Sequence, residues 1–265
     1  MMKQLMPDTK IASVWAWFIP LVPLALAGAI YFGDFQTITF LAINQYTQLL
    51  PDTIWAWLTF LGNGWGIFAL CFPLLLLAPR LMSACIFSAT LAGLISAVLK
   101  PYLDLPRPAS ILGIDGFYRI GEPLLNKAMP SGHTITAFAV AAALYYGSDK
   151  HSRSTTWVAL LIAILVGISR NAIGAHWLTD VLVGAAIGLW CGLIGVYLAQ
   201  YIPEEQLACN KAWPRLIAIG GVVSIYALST KQLDLALNQP LQFACVVLIG
   251  ITLVFFLKSQ RMQTS

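Results

Sequence analysis

Residues 156–200 read TWVALLIAILVGISRNAIGAHWLTDVLVGAAIGLWCGLIGVYLAQ. Two apolar runs, 156–172 and 177–200, meet at the polar stretch SRNAIGAHWLTD, which holds an arginine, a histidine and an aspartate. A helix needs roughly 20 apolar residues to cross the hydrocarbon of a bilayer, and a soluble helix of that length would carry a charged face. Neither run has such a face, since Arg170 and Asp180 both sit at the turn. The stretch therefore reads as two membrane-spanning helices joined by a polar turn.

Outward from this hairpin, apolar runs broken by charge or by Pro/Gly clusters give six more candidate spans: 12–32, 54–78, 81–99, 131–147, 214–230 and 240–257. Several are short for a span and are expected to borrow residues from flanking loops. The whole chain agrees with eight spans in an all-α bundle. It has 265 residues, 59% of them hydrophobic and 10% charged, with a mean hydropathy of +0.79. A soluble domain carries about 25% charged residues, so a water-soluble globule is excluded. The first run follows Lys3 and Lys10 without a small-residue cleavage site and reads as a retained helix. Residues 35–50, FQTITFLAINQYTQLL, mix apolar positions with Gln, Asn and Thr and read as a helix lying in the interface. Trp15, Trp17, Trp55, Trp57 and Trp65 fall near span ends, as an aromatic belt would. Gly62-Asn63-Gly64 marks a helix break or a close packing point in the second span.

The net charge of +4 is small and scattered, which gives no nucleic-acid partner. Five cysteines form no CxxC pair and no metal spacing, and four of them lie in apolar runs. With eight spans both termini share a side. That side collects Lys3, Lys10, Arg80, Lys150, Arg153, Lys211, Arg215, Lys258 and Arg261, nine of fifteen basic residues. The positive-inside bias makes it cytoplasmic.

Polar residues at span ends are costly in lipid and therefore informative. Three clusters stand out: KPYLDLPRP at 100–108, PSGH at 130–133, and the turn from Ser169 to Asp180. Connectivity brings the end of span three, the start of four, the end of five and the start of six to one membrane face, away from the cytoplasm. Lys100, Arg107 and Arg170 converge there and need an anion; guanidinium forks fit phosphate oxygens bidentately. Ser131 and Gly132 open a helix whose free N–H groups and dipole favour the same anion. His176 and Asp180 are four apart, so one helix face lets the carboxylate set the tautomer of an imidazole that attacks. His133, from another helix, is placed to protonate a leaving oxygen. The carboxylates are too few and the cations too many for a metal site. Each residue has an ordinary explanation by itself: Ser131 as an N-cap, Lys100 and Arg107 as snorkelling anchors, His176 as an interfacial residue, Asp180 as a partner of Arg170. Their convergence, with two of the chain's three histidines among them, is what such explanations lack.

The clusters spell K-x6-RP, PSGH and SR-x5-H-x3-D, eleven set positions in order between residues 100 and 180. In this the sequence resembles the type 2 phosphatidic acid phosphatase family, which shares its site with vanadium haloperoxidases. The resemblance implies a six-helix core over 1–200, with 201–265 adding two spans and a short tail whose role it leaves open. It implies that Lys100, Arg107, Ser131, Gly132 and Arg170 hold phosphate, that His176 is the nucleophile with Asp180 as its partner, and that His133 is the general acid, with no cofactor. The expected function is an integral membrane lipid phosphatase of the cytoplasmic membrane, acting at its periplasmic or outer face on a membrane lipid phosphate or diphosphate. Undecaprenyl pyrophosphate comes first; phosphatidylglycerophosphate, phosphatidate and lipid A remain alternatives. A phosphotransferase, a vanadate-holding oxidoreductase and a lipid-phosphate transporter are the competing classes. Asp115, Tyr118, Arg119, Glu122 and Lys127, in the long loop between the first two clusters, are candidates for choosing the substrate or ordinary surface polarity. Asp104 reads as loop polarity.

Overall fold

The computed structural model describes residues 13–149 and 153–264. After a 3₁₀ turn at Val14–Trp17 come α1 (Leu21–Phe32), α2 (Gln36–Thr47), α3 (Asp52–Phe60), α4 (Gly64–Cys71), α5 (Leu74–Leu77), α6 (Pro79–Leu103) and α7 (Pro108–Leu112). The chain continues through α8 (Gly132–Gly147), α9 (Arg153–Ala172), α10 (Leu178–Ala199), α11 (Ala212–Thr230) and α12 (Gln239–Thr264). Among the described residues there are no strands, so the bundle is all-α as expected. The chain is a multi-span membrane protein. Lys3, Lys10 and Lys150, counted above for orientation, lie outside the described residues, as does the start of the first span.

Five helical stretches are long and apolar enough to cross a bilayer: 14–32, 79–112, 178–199, 204–230 and 236–260. The second expected span is not one straight helix. It is α3 and α4, bent by 71° at residues 61–63, where the Gly-Asn-Gly sequence breaks the helix. A Cβ on Gly62 would lie 2.9 Å from the His133 carbonyl oxygen, so the break also lets the chain pass close to α8. The spans expected at 131–147 and 156–172 correspond to α8, 16 residues long, and α9, 20 residues long. Helix α8 packs on α6, α9 and α10 together, so its neighbours are protein and its alanines need not be replaced by lipid-facing residues. By contrast Leu216, Ile219 and Val222 on α11 and Val247 and Ile251 on α12 are exposed, as a lipid-facing surface requires.

The centre of the bundle is the α6–α8–α10 triad, with α1 against α10 and α3 against α9. Helices α11 and α12 pair with each other and pack on α4; Phe72, Ile217, Leu228, Ile249 and Phe256 are buried there in one cluster. Small residues let α10 meet α8 at backbone distance. A Cβ on Gly188 would lie 2.5 Å from the Ile135 carbonyl oxygen, and one on Gly192 would lie 2.7 Å from the Ala139 carbonyl oxygen. Close approach through small residues is how helices associate where lipid removes the hydrophobic drive.

Two expectations change. Residues 36–47 form a helix, but α2 packs on α9 and α10, burying Phe40, Asn44 and Thr47. The Asn44 amide donates to the Tyr118, Asn171 and Ala172 carbonyls at 2.9, 3.1 and 3.3 Å, so α2 fastens the end of α9. Trp55 is not a belt residue: it is buried beside Ala172, Ile173 and Ala175, and its indole donates to the Thr47 carbonyl at 2.8 Å. The cysteines are all free, and four are buried as small apolar groups.

The α8–α10 contact gives a stability prediction. Gly192→Ala should destabilise the protein by about 3 kcal/mol, because backbone cannot move aside as a side chain can. Gly250→Ala adds a methyl with no heavy atom within 4 Å and should leave the thermal midpoint in detergent unchanged or slightly raised.

Candidate active site

The polar clusters meet where four helices end or begin. Lys100 lies in the last turn of α6, which stops at Asp104, a C-cap in the left-handed conformation (φ 39°). Pro106 and Pro108 then keep the chain extended past Arg107, whose backbone is β-like. Ser131 is the N-cap of α8, Arg170 is in the last turn of α9, and Asp180 is in the first turn of α10. The Ser131 amide donates to the Asp180 carbonyl at 3.1 Å, tying the starts of α8 and α10 together.

His176 sits in the turn before α10 and is 1% exposed. Its Nδ1 lies 3.2 Å from Asp180 Oδ2, and the same oxygen accepts from the Trp177 amide at 3.0 Å. Its Nε2 lies 3.2 Å from Arg107 Nη1, which can only donate. Nε2 is therefore the bare nitrogen and Nδ1 carries the proton given to Asp180. Burial, reinforced by the charges of Arg107, Arg170, Lys100 and His133, holds the His176 imidazole well below the ordinary histidine range. It is neutral at neutral pH, with its lone pair turned toward the cations.

Arg107 is oriented by backbone oxygens: it donates to the carbonyls of Asn126 and Ala175 at 2.8 Å each and of Lys127 at 3.3 Å. Arg170 is 4% exposed and donates to the Thr59 hydroxyl, while its Nε is buried without a partner among the described residues. A buried guanidinium with an unmet donor fits a site that takes an anion. Lys100, Gly132 and His133 line a cavity of about 510 Å³, together with Asn63, Ser96 and Lys127. Lys100 Nζ is 3.6 Å from where a Cβ on Gly132 would lie, which places the ammonium beside the opening turn of α8. Ser131 occupies the N-cap position without capping; its hydroxyl accepts from Thr134 Oγ1 at 2.9 Å.

Of the eight residues singled out from sequence, Lys100, Gly132 and His133 line the cavity, while Arg107, His176, Asp180 and Ser131 form a hydrogen-bonded chain and Arg170 is buried in the turn that leads to His176. In the long loop the outcome is mixed. Lys127 lines the cavity, while Tyr118 donates to Asp52 at 2.8 Å and Arg119 to the Gly121 carbonyl at 2.7 Å. Asp115 and Glu122 are exposed. Sequence reasoning missed Thr59, Asn63 and Asp234. The first two carried a signal, being polar groups inside an apolar span. Asp234 carried none, yet its Oδ1 lies 3.1 Å from His133 Nε2.

Residues 81–204 match the PAP2 superfamily. The chain is 38% identical over 84 residues to the lipid A 1-phosphatase of Porphyromonas gingivalis, covering 32% of this chain and 19% of that one. It is 33% identical over 106 residues to phosphatidylglycerophosphatase B of Bacillus subtilis, covering 36% and 47%. It thus spans less than half the length of these two relatives. The crystal structure of Aquifex aeolicus LpxE superposes with a TM-score of 0.55 at 31% identity, over 62% of this chain and 95% of that one. The eleven motif positions, the family match and this shared architecture lead to one conclusion: the chain belongs to the PAP2 superfamily.

Proposed function

We propose that this chain is a membrane lipid phosphatase that cleaves a lipid phosphate or diphosphate through a phosphohistidine on His176. The observation that carries the reading is the two-sided bonding of His176: Nδ1 is held by Asp180, and Nε2 faces Arg107. A neutral, oriented nitrogen directed at a set of fixed cations suits attack on an anionic phosphorus. In the first step Nε2 bonds to phosphorus while the bond to the lipid oxygen breaks, and His133 gives that oxygen a proton. In the second, water attacks phosphorus, the N–P bond breaks, His133 takes the water's proton and inorganic phosphate leaves. Lys100, Arg107 and Arg170, with Ser131 and Gly132, hold the phosphoryl oxygens throughout. No step calls for a metal or a cofactor.

A second cavity, of about 340 Å³, supports a lipid substrate. Ile67, Phe68, Met82, Ile86, Ala89 and Val140 line it between α4 and α6, and it shares Gly64 with the polar cavity. A phosphate head in the first cavity would leave its chain beside this apolar crevice. Residues 1–200 are read as the catalytic core and 201–265 as an added hairpin. The basic-residue excess at the opposite end supports a site on the periplasmic or outer face of the cytoplasmic membrane. Undecaprenyl pyrophosphate heads the headgroups to assay, and the relatives named above put lipid A and phosphatidylglycerophosphate beside it.

Phosphate release by the detergent-solubilised protein in EDTA tests the reaction on these three lipids and on phosphatidate. Release should persist in EDTA, fall at least about 10³-fold in His176→Ala, and show an acid-trapped phosphoprotein in wild type only. Label moved to a second lipid would indicate a transferase, and binding without cleavage a transporter. Because His176 stays neutral well below its ordinary pKa of about 6.5, the acidic limb of kcat/KM that it sets should lie below that pH. A limb at the ordinary histidine value would contradict the buried, cation-ringed nucleophile. Ala89→Trp, which fills the apolar crevice, should raise KM for long-chain lipid several-fold and leave a dioctanoyl substrate nearly unaffected.

A further inference from the structure

The loop between α11 and α12 brings a carboxylate to His133 from outside the three motifs. Asp234 Oδ1 lies 3.1 Å from His133 Nε2, and Asp234 Oδ2 accepts from Asn63 Nδ2 at 2.9 Å. The loop is firmly built. Gln242 of α12 donates to the Leu228 and Lys231 carbonyls at 3.0 and 2.7 Å, and Trp57 donates to the Leu237 carbonyl at 3.0 Å. Leu235 packs against the cluster of Trp55, Ala172, Ile173 and Ala175. Asp234 itself has a left-handed backbone (φ 57°), a region aspartate tolerates better than most residues.

The charges around His133 make this contact consequential. Arg170 from α9 and Lys100 from α6 both face the ring electrostatically, and Asp234 is the anion hydrogen-bonded to it. Burial pushes the Asp234 carboxyl up, but the hydrogen bond and charge of His133, with Arg170 and the Asn63 amide, hold it below the ordinary carboxylate range. Asp234 is therefore ionised at neutral pH.

We propose that Asp234 is the positioning residue of His133, accepting Nε2–H so that Nδ1 is the nitrogen that exchanges protons with the substrate. The proposal rests on the reading of His133 as the leaving-group acid. The acid form is the His133 imidazolium, which Asp234 and the bound anionic phosphate both favour. Its Nδ1 proton passes to the lipid oxygen as the P–O bond breaks, and the neutral ring remains as the Nε2–H tautomer, still donating to Asp234. The bare Nδ1 then takes a proton from the water that attacks the phosphohistidine. The Nδ1 atom makes no hydrogen bond to any described residue, which leaves it available for this exchange. The two histidines are thus set in opposite tautomers: Asp180 exposes Nε2 of His176, and Asp234 exposes Nδ1 of His133. The last two spans, which the motifs leave without a role, complete the acid–base half of the site.

Leaving-group dependence separates this role from a structural one. Dioctanoyl phosphatidate expels an alkoxide that needs a proton, whereas farnesyl diphosphate expels a phosphate, a much weaker base. Asp234→Asn should lower kcat on phosphatidate about 10- to 100-fold and on farnesyl diphosphate no more than about threefold. Its alkaline limb on phosphatidate should move to lower pH, and Asp234→Glu should restore most of the rate. In a His133→Ala background Asp234→Asn should add no further loss. Equal losses on the two substrates, losses that add to those of His133→Ala, or failure of Asp234→Asn to fold where His133→Ala folds would each overturn the proposal. If His133→Ala itself showed no leaving-group dependence, the acid assignment would fail and Asp234's role with it. Dependence in His133→Ala but not in Asp234→Asn would remove Asp234 alone.

Discussion

Because Gly188 and Gly192 let the backbone of α10 lie against α8, the starts of these two helices are held side by side, and the residues that open them are among the candidate site residues. The Ser131 amide bound to the Asp180 carbonyl is the direct link. From it follow the position of Gly132 and His133 on one side and of His176 and Asp180 on the other. Helix α9 then delivers Arg170 from its last turn, and α6 delivers Lys100 from its own. Cations near helix C-termini and an aspartate near an N-terminus are also where the helix dipoles favour them.

The second constraint is charge. Lys100, Arg107 and Arg170 share a largely buried space, and mutual repulsion there is poorly screened. The structure answers with geometry that keeps each guanidinium fixed. Carbonyls of Ala175, Asn126 and Lys127 hold Arg107, and the Thr59 hydroxyl holds Arg170, while a donor is left unmet. Fixed donors directed at a space before the anion arrives need no reorganisation when charge develops. Two carboxylates, Asp180 and Asp234, each hydrogen-bond one of the two histidines.

Much of this was legible in the chain itself. Apolar runs too long and too uncharged for water determined an all-α membrane bundle, and the number of runs placed three polar clusters at one end of it. All eight candidate residues follow from that parity and from the motif spacing, and His176 and Asp180, four apart at the start of α10, do meet. The Gly-Asn-Gly break in the second span was legible for the same local reason.

What needed the tertiary structure depends on neighbours distant in sequence. Helix α8 is enclosed by α6, α9 and α10 while α9 exposes Trp157, Leu161 and Ile164, and a run of residues does not state its own surroundings. Asn44 fastens the end of α9 across 127 residues of sequence, and Trp55 lies under the site, not at the membrane edge. Asp234 meets His133 across 101 residues, from a loop whose sequence carries no motif. Periodicity and short-range spacing are set by the backbone's own geometry and so can be read along the chain. Which side chain completes a histidine's second hydrogen bond is set by how helices pack, and only the folded bundle decides it.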